Sequence, residues 1–410
     1  MLPRRIRSWY CVRPGGERPG TNAGGGKYPM RSSSRRAEHD AMVQPPLNCK
    51  PAFLDFFAGA GLVTEALSTT FCPVWANDIC EKKAAVYNAN HTKGTLRVGP
   101  IERVRGKDLP RAALSWASFP CQDLSVAGKM EGIGSARSGL VWHWLRVMDE
   151  MVERPGVVVA ENVVGLVSAH GGTHYRRLHE ALVERRYRVG AVIIDARFWL
   201  PQSRQRVFVI GVSKEADLTG LTLETPDPWY HPAALREAAV GLRDWLWWAL
   251  PRPFISRRAL EKIIDFDAPT DESEKCSHNL GLIPEHHREM MYEAVARGMR
   301  VFPGYKRIRK GRQVLELRFD GLAGCLRTPR GGSSRQVLVI YDGTRFRTRL
   351  LTVGEAARLM GLPPSFRIPG TYNEGYQAMG DAVAIPVVRH LGQFLLHPLV
   401  ERSLSTTEAR

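Results

Sequence analysis

The 410-residue chain is poor in the features that build metal and disulfide sites. Its seven cysteines include no Cys-x-x-Cys pair and no dense framework, which argues against a zinc site and against a disulfide scaffold. Its apolar runs are too short to span a bilayer, and its first residues lack the apolar segment of a secretory signal. We therefore expect a cytoplasmic protein with reduced thiols, which works without a metal ion and without a membrane.

Acidic residues are in the minority. The chain has 58 Lys and Arg against 41 Asp and Glu, for a net charge of +17. This charge favours a polyanionic partner such as nucleic acid, although a generically basic soluble protein would carry it as well. Residues 1–47, rich in Arg, Gly, Ser and Pro, predict a basic disordered arm. Either this arm touches nucleic acid, or the real start is Met30 or Met42.

The chain is organised around a cysteine that follows a strand. Ser118-Phe119-Pro120-Cys121-Gln122 comes directly after the apolar run Leu114–Ala117, which predicts a buried strand that ends in a turn. Pro120 has a fixed φ and favours an extended Phe119, so Cys121 stands on a loop at the strand's carboxyl end. Sheets of α/β proteins place their active sites there. A buried structural cysteine is the alternative, and the accompanying motifs favour a nucleophile.

Four further motifs accompany this cysteine in a defined order. They are DFFAGAGL at Asp55–Leu62, Glu161-Asn162-Val163, Gln202-Ser203-Arg204-Gln205-Arg206, and Gly380-Asp381-Ala382-Val383. In order and spacing, over residues 50–212 and 325–395, the series resembles that of the DNA cytosine-5 methyltransferases of bacterial restriction-modification systems. The resemblance implies an α/β fold: a Rossmann-like S-adenosylmethionine-dependent methyltransferase sheet, with a second, smaller DNA-recognition domain.

The same resemblance divides the chain into parts. We expect the disordered arm at 1–47, a catalytic domain at 48–212 and a target-recognition domain at 213–345. A return segment and helix at 346–398 then complete the catalytic domain, and 399–410 form a tail. The aromatic stretch Trp245–Leu250 is predicted to be core or a domain seam.

The cofactor implied by the resemblance is S-adenosyl-L-methionine, and no metal is needed. Glycines in the turn before the helix at 62–67 let the backbone approach a ligand, although flavin and nicotinamide folds use similar turns. Asp78 ends the second predicted strand, where an acid can accept hydrogen bonds from ribose hydroxyls. The cofactor-binding residues that we expect are Phe57, Gly59, Gly61, Asp78, Ile79, Ile101, Pro120 and Asp381.

Three positions depart from the family pattern. Asp78 stands where the family usually has Glu, and the shorter acid can still accept hydrogen bonds from the ribose. Pro100 stands where many members have an Asp that bonds the adenine amino group, and a proline cannot make that bond. Asp381 stands where the family has Asn, which keeps a hydrogen-bond acceptor but loses the amide donor.

The catalytic residues that we expect are Cys121, Glu161, Arg204 and Arg206. A Cys121 thiolate adds to carbon 6 of cytosine and turns carbon 5 into a nucleophile. A protonated Glu161 donates to N3, which requires that burial raise its pKa. Arg206, with Arg204, holds O2. Because a stacked base is out of reach, the cytosine must be flipped out of the duplex.

DNA contacts are expected from three regions. The glycine-rich loop 123–138 predicts a lid over the DNA, although an ordinary surface loop is the alternative. Gln202, Arg204 and Arg206 alternate, which places them on one face of an extended segment. The basic stretch 305–312 would meet phosphates. The expected DNA-binding residues are Gln122, Ser125, Lys129, Arg137, Gln202, Lys306, Arg307, Arg309, Lys310, Arg312, Arg327 and Arg330.

These expectations combine into one function. The chain would methylate carbon 5 of cytosine in a specific double-stranded DNA sequence, as a monomer near the nucleoid, and protect that sequence from a cognate restriction endonuclease. Two alternatives stay open: an RNA cytosine-5 methyltransferase of the same fold, and a degenerate DNA-binding relative without activity. The long segment 213–320 argues against the first, and the complete set of catalytic residues argues against the second.

Overall fold

A computed structural model describes residues 10–11, 50–120, 139–255, 259–328 and 335–408. Two sheets organise these residues. The first has ten strands in the order β4-β3-β2-β5-β6-β8-β7-β10-β9, with β1 paired to β2. The strands are β1 Tyr10–Cys11, β2 Lys50–Phe56, β3 Cys72–Asp78, β4 Leu96–Val98, β5 Leu114–Ala117, β6 Val157–Asn162, β7 Tyr187–Asp195, β8 Gln205–Ser213, β9 Thr222–Leu223 and β10 Trp245–Trp248.

The first sheet is mainly parallel, as predicted. Strands β2 to β6 pair in parallel, and so do β7 and β10. Strand β8 runs antiparallel between β6 and β7. The central strands β5 and β6 are buried along their whole length, which explains their nearly continuous apolar sequence. Because β8 is reversed, it begins at the edge where β6 and β7 end.

Most of the helices cover the two faces of this sheet, and the two helices between residues 273 and 296 pack with the second sheet. In chain order the helices are α1 Leu62–Leu67, α2 Glu81–Asn90, α3 Leu140–Glu150, α4 Gly165–Ser168, α5 Thr173–Glu184, α6 Ala233–Ala239, α7 Ser273–Gly281, α8 Glu285–Ala296, α9 Val353–Leu359, α10 Tyr372–Asp381, α11 Ile385–Leu391 and α12 His397–Glu408. Neighbouring residues of β2 point into opposite cores: Phe53 packs in one cluster with Val388, and Leu54 packs in another with Trp144.

The second sheet is smaller and antiparallel. Its strands are β11 Val301–Arg309, β12 Arg312–Leu317, β13 Val337–Tyr341 and β14 Phe346–Leu350, in the order β12-β11-β13-β14. It has its own apolar cluster, in which Phe302 and Leu315 pack against Met291 of α8. A second, smaller unit was therefore predicted correctly, but its extent was not. Strands β9 and β10 belong to the first sheet, and β14 belongs to the second.

The extent of the second unit was predicted wrongly because β9 and β10 are short strands among prolines, and such strands show no hydrophobic periodicity. Strand β10 pairs with β7, and its Trp248 is fully buried in the core of the first sheet. Of our two interpretations of the tryptophan stretch, core is the correct one.

The C-terminal helices return to the first sheet. The helix predicted within the return segment 346–398 is interrupted after α10, and α11 continues through a π-helical turn, Gly392–Leu396, into α12. Residues 399–408 of the predicted tail instead belong to α12, in which Leu399 and Val400 are fully buried. Among the described residues, the stretch Tyr372–Ser405 has the length and apolarity to cross a membrane, but 67% of its most apolar window is buried inside the protein, as in a core helix.

Candidate active site and cofactor pocket

Glu161 and Arg206 meet at the carboxyl edge of the first sheet. Glu161 lies near the end of β6 and is 5% exposed, and Arg206 lies near the start of β8. The antiparallel pairing of these strands places Glu161 opposite Phe208, two residues along the strand from Arg206. Arg206 Nε is 3.2 Å from Glu161 Oε1. The structure thus joins two residues that the sequence separates by the helices α4 and α5 and the strand β7.

Burial raises the pKa of the Glu161 carboxyl above its ordinary value. The charges of Arg206 and Arg204 and a hydrogen bond with Ser118 oppose this shift without cancelling it. A carboxyl with a raised pKa stays protonated to higher pH, so it can donate its O–H to an acceptor. This is the protonation state that the predicted role of Glu161 at N3 requires.

The loop that leads to Cys121 is tied to the same edge. Asn162 Nδ2 donates to the Phe119 carbonyl at 3.0 Å, and the Ser118 N–H donates to the Phe56 carbonyl at 3.2 Å. Pro120 is exposed at the end of this tether. Six predicted site residues lie outside the described residues: Cys121, Gln122, Ser125, Lys129, Arg137 and Arg330.

Arg204 does not lie in an open pocket, which corrects its assignment as a group that holds O2. Its side chain is 2% exposed. One guanidinium nitrogen donates to the Leu326 carbonyl at 3.1 Å, and the other donates to the carbonyls of Gly380, at 2.9 Å, and of Ala382. These donors are occupied by the protein, and Arg204 Nε is buried without a partner. Arg206 is therefore the arginine left for the predicted contact with O2.

Gln202 is also internal, which corrects its assignment to the DNA surface. It is fully buried and donates through Nε2 to the Leu359 carbonyl at 2.8 Å. The backbone on either side pairs with Ala323. Gln202 and Arg204 therefore contact distant segments of the chain, whereas Arg206 lies beside Glu161 at the catalytic edge. The shared face of residues 202, 204 and 206 stays a prediction.

The glycine turn after β2 has the geometry of a close backbone approach. Gly59 has φ +55° and Gly61 has φ +82°, and Phe57 also has a positive φ of 57°. A Cβ on Gly61 would lie 2.4 Å from His91 Nε2, so a larger residue there would force the His91 ring to move. The Gly59 N–H donates to Asp78 Oδ2 at 2.8 Å, and the Cys80 N–H donates to Asp78 Oδ1 at 2.8 Å. Asp78 therefore braces the turn, and each of its oxygens keeps a second lone pair.

The residues beside this turn fit an adenosine group. Ile79 is 69% exposed, which is unusual for a large apolar side chain, and it follows the acid expected to meet the ribose. Ile101 is buried in a short 3₁₀ turn that Pro100 precedes. An exposed apolar surface beside a carboxylate suits an adenine ring and its ribose. The Ile79 surface is the observation that favours an adenosyl ligand here.

Sequence reasoning missed a charged residue at this pocket. Lys83, in the first turn of α2, places its ammonium 2.6 Å from Asp381 Oδ2. Asp381 Oδ1 accepts a hydrogen bond from Thr328 Oγ1 at 2.5 Å. Lys83 and Asp381 come from distant parts of the chain, so no local sequence pattern predicts this ion pair.

Residues 52–397 match the family model of the C-5 cytosine-specific DNA methylases. The chain belongs to this family. It is similar to the type II methyltransferase M.BsuFI of Bacillus subtilis, with 24% identity over 349 residues that cover 83% of this chain and 71% of the relative. It is also similar to the type II methyltransferase M.HhaI of Haemophilus parahaemolyticus, with 24% identity over 343 residues, 83% of this chain and 92% of the relative. The S. pombe Dnmt2 methyltransferase shares the fold, with a TM-score of 0.56 at 17% identity over 85% of this chain and 98% of that one.

The β11–β12 hairpin of this methyltransferase carries three exposed basic residues, Arg309, Lys310 and Arg312. Lys310 and Gly311 form a two-residue turn, both with positive φ, between the paired Arg309 and Arg312. Arg309 forms a two-bond ion pair with Glu316, at 2.6 and 2.9 Å, so its charge is already compensated. Lys306 and Arg307, nearer the core, are half-buried.

Tyr305 connects this hairpin to the catalytic edge of the enzyme. Its hydroxyl donates to the Cys325 carbonyl at 2.7 Å. The guanidinium groups of Arg307 and Arg327 lie 5.1 and 5.7 Å from the centre of its ring. The predicted DNA-binding residue Arg327 is exposed beside this ring.

Cys325 is a second thiol at the catalytic edge, which the sequence did not reveal. Its Sγ is 3.3 Å from a guanidinium nitrogen of Arg204 and 3.9 Å from one of Arg206. Burial would raise the pKa of this thiol, but the charges of Arg204, Arg206 and Arg327 outweigh burial and lower it. Any experiment that identifies the nucleophile must therefore distinguish Cys121 from Cys325.

Proposed function

We propose that this methyltransferase transfers a methyl group from S-adenosyl-L-methionine to carbon 5 of a flipped-out cytosine in a specific double-stranded DNA sequence. Family membership supplies the reaction on cytosine. The main support for the residue roles is the buried Glu161. Its raised pKa suits a proton donor, and the adjacent Arg206 can stabilise a negative charge on the substrate.

The chemistry divides among three side chains. The Cys121 thiolate adds to carbon 6, and electron density moves to N3 and O2. The Glu161 O–H donates to N3 while Arg206 holds O2, so carbon 5 becomes nucleophilic enough to take the methyl group. Loss of the carbon 5 proton then expels the Cys121 thiolate and restores the aromatic ring.

The pocket around the glycine turn is proposed to hold the cofactor, which supplies an electrophilic methyl group on a sulfonium. Asp78 would accept the ribose hydroxyls with the lone pairs that the Gly59 and Cys80 N–H groups leave unused. Ile79 would cover one face of the adenine, and Ile101 would pack at its edge. Pro100 removes one specific adenine contact, so apolar packing carries more of the recognition. Among the described residues, no cluster of three metal-ligating side chains is present.

The second sheet is proposed to read the target sequence, with the β11–β12 hairpin against phosphates. The two relatives described above are named type II methyltransferases. We propose the same setting here: a cytoplasmic, nucleoid-associated monomer that protects a DNA site from a restriction endonuclease of the same specificity.

A duplex with fluorine at carbon 5 of the target cytosine tests the proposal. Fluorine cannot leave as a proton does, so the reaction should stop after methyl transfer, with the protein covalently bound to DNA. Bisulfite sequencing of DNA from cells that express the protein first identifies the target. We expect a denaturation-resistant complex only in the presence of S-adenosylmethionine, and none with Cys121→Ser.

Cys325→Ser is the matched control, because this second thiol lies beside the same arginines, and it should trap as the wild type does. An adduct that maps by peptide mass to Cys325, or one that forms in Cys121→Ser, contradicts the proposed nucleophile. Methyl transfer to transfer RNA but not to duplex DNA would establish the RNA alternative. Binding of DNA without transfer to either substrate would establish a degenerate relative.

A further inference from the structure

The β11–β12 hairpin has two different faces. Residues that pair across antiparallel strands point to the same face, and successive residues of a strand alternate between faces. On one face, Phe302 and Leu315 pack against α8. The opposite face begins at Val301, which is buried in the core of the first sheet, and continues through Tyr305 to Arg309. This second face therefore starts on the first sheet and extends outward along a two-stranded ribbon.

Tyr305 ties the second face of the hairpin to the catalytic edge. Its hydroxyl donates to the Cys325 carbonyl at 2.7 Å, and Cys325 Sγ lies 3.9 Å from a guanidinium nitrogen of Arg206. Arg309 follows Tyr305 by four residues on the same face. The major groove of a DNA duplex is wide enough to admit a two-stranded ribbon. The outer part of the hairpin is thus suited to the groove of a duplex whose target cytosine lies beside Arg206.

A carboxylate holds Arg309 in a defined orientation. Its Nε and Nη2 donate to the two carboxylate oxygens of Glu316, at 2.6 and 2.9 Å. These bonds leave both N–H groups of Nη1 and one N–H group of Nη2 without a partner in the pair. The free donors lie side by side at the outer end of the guanidinium, and the Arg309 side chain is 59% exposed. Arg309 therefore presents two parallel donors from a fixed position.

We propose that Arg309 reads a guanine of the target sequence through N7 and O6, and that Glu316 orients it for this contact. Guanine presents two adjacent acceptors in the major groove, and an arginine with two parallel N–H groups binds both of them. The inference rests on the proposed function, since it assumes that the second sheet contacts duplex DNA. Glu316 is a positioning residue, because it acts on the base through Arg309.

The charge of the pair distinguishes this role from a phosphate contact. Glu316 compensates the charge of Arg309, and its carboxylate would repel a phosphate group beside it. A guanine edge is neutral, so it meets no such repulsion. Arg312 is paired directly opposite Arg309 and shares its face, but it takes part in no ion pair within the described part of the chain. Arg312 is therefore suited to a phosphate, and it is the matched control.

A base analogue tests the contact at a single atom. Once bisulfite sequencing has identified the target, each guanine of a target duplex is replaced in turn by 7-deazaguanine, which pairs normally but lacks N7. Fluorescence anisotropy with the full-length protein measures the affinity for each duplex. For the wild type, we expect the replacement of the guanine that Arg309 reads to lower the affinity about 10-fold, the order of one lost hydrogen bond to a charged group.

Three variants assign this loss of affinity to a residue. Arg309→Met should be insensitive to 7-deazaguanine at one guanine and keep the wild-type sensitivity at all others. Glu316→Gln should be less sensitive at the same guanine, because the guanidinium is no longer held by a charged partner, and should bind unrelated duplexes more tightly, because the hairpin loses a negative charge. Arg312→Met should keep the wild-type sensitivity at every guanine, weaken binding to all duplexes alike, and reduce the slope of log K against log salt by about one.

Wild-type sensitivity of Arg309→Met at every guanine overturns the inference. With a reduced salt slope, this result would assign Arg309 to a phosphate, and with an unchanged slope it would make the pair with Glu316 purely structural. A wild type that tolerates 7-deazaguanine at every position overturns the inference as well, and an unchanged sensitivity of Glu316→Gln overturns the orienting role of Glu316. If the wild type binds no duplex with a sequence preference, the proposed function itself fails and not merely this inference.

Discussion

Burial and two cations act in opposite directions on Glu161. Burial penalises the carboxylate and raises its pKa, while Arg206, at 3.2 Å, and Arg204 favour the carboxylate. Burial prevails, because the side chain is almost fully withdrawn from water. The same arrangement keeps Arg206 in place beside an acid that can be neutral. Such a pair can donate a proton at one atom and stabilise an anion at the next.

Glu161 predicts a pH dependence for methyl transfer. The group must be protonated to donate, and its pKa in the folded protein is raised, so single-turnover rates should fall as the pH rises through that raised pKa. In Glu161→Gln the amide donates at every pH, so this alkaline limb should disappear while the overall rate drops. Glu161→Ala, with no donor, should lose about 10²- to 10⁴-fold. An alkaline limb that persists unchanged in Glu161→Gln would assign it to another group.

At the scale of single elements, the turn between β2 and α1 imposes two separate demands on Gly61. Its φ of +82° lies in the left-handed region, and His91 and Tyr87 of the α2 end leave no room for a side chain. Gly94 has nearly the same φ, +84°, but nothing lies within 4 Å of its missing Cβ. A comparison of Gly61 with Gly94 therefore distinguishes the cost of the left-handed backbone conformation from the cost of a steric clash.

Gly61→Ala should therefore destabilise the protein more than Gly94→Ala. Both variants pay about 1–2 kcal/mol for the left-handed conformation. Only Gly61→Ala also forces the His91 ring to move, for which overpacking typically costs about 1–3 kcal/mol more. Urea unfolding of both variants measures the difference. Equal losses would show that the His91 ring moves aside freely.

The β11–β12 hairpin makes a prediction about salt. Lys310 is exposed at the turn, and if it meets a phosphate, Lys310→Gln should weaken binding similarly on all DNA sequences and reduce the slope of log K against log salt by about one. Fluorescence anisotropy over a salt series measures this slope. A loss restricted to the target sequence would indicate base readout, and an unchanged slope would place the hairpin away from the DNA.

At the scale of the whole molecule, the segment that leads into the strand of Arg206 contacts three separate parts of the chain. Arg204 binds carbonyls at 326, 380 and 382, and Gln202 binds the carbonyl of 359. The second unit and the C-terminal helices are thereby attached to the catalytic edge. The stability of this junction and the chemistry of the site thus depend on alternate residues of one segment.

This division predicts opposite effects for two neighbouring arginines. Arg204→Ala removes several hydrogen bonds from a buried charged group, at about 1.5–3 kcal/mol each, and should lower the melting temperature strongly. Arg206→Ala removes one contact from Glu161, whose pKa burial raises and which can therefore become neutral, so this variant should destabilise the protein less than Arg204→Ala while methyl transfer is lost. Calorimetric melting and single-turnover assays test both. If Arg204→Ala is stable but inactive, Arg204 contacts the substrate, as the sequence first suggested.

The sequence by itself determined the features that depend on neighbours along the chain. These features are local patterns: an apolar run followed by Pro120, a strand that ends near Glu161, and glycines after β2. A parallel sheet brings the ends of its strands together, whatever the details of side-chain packing. Tertiary structure decided where the polar side chains point. Arg204 is buried because carbonyls 122 and 176 positions away accept its hydrogen bonds, and Lys83 reaches Asp381 because α10 returns to α2. Such pairings follow from how the helices and sheets pack, which no local period encodes.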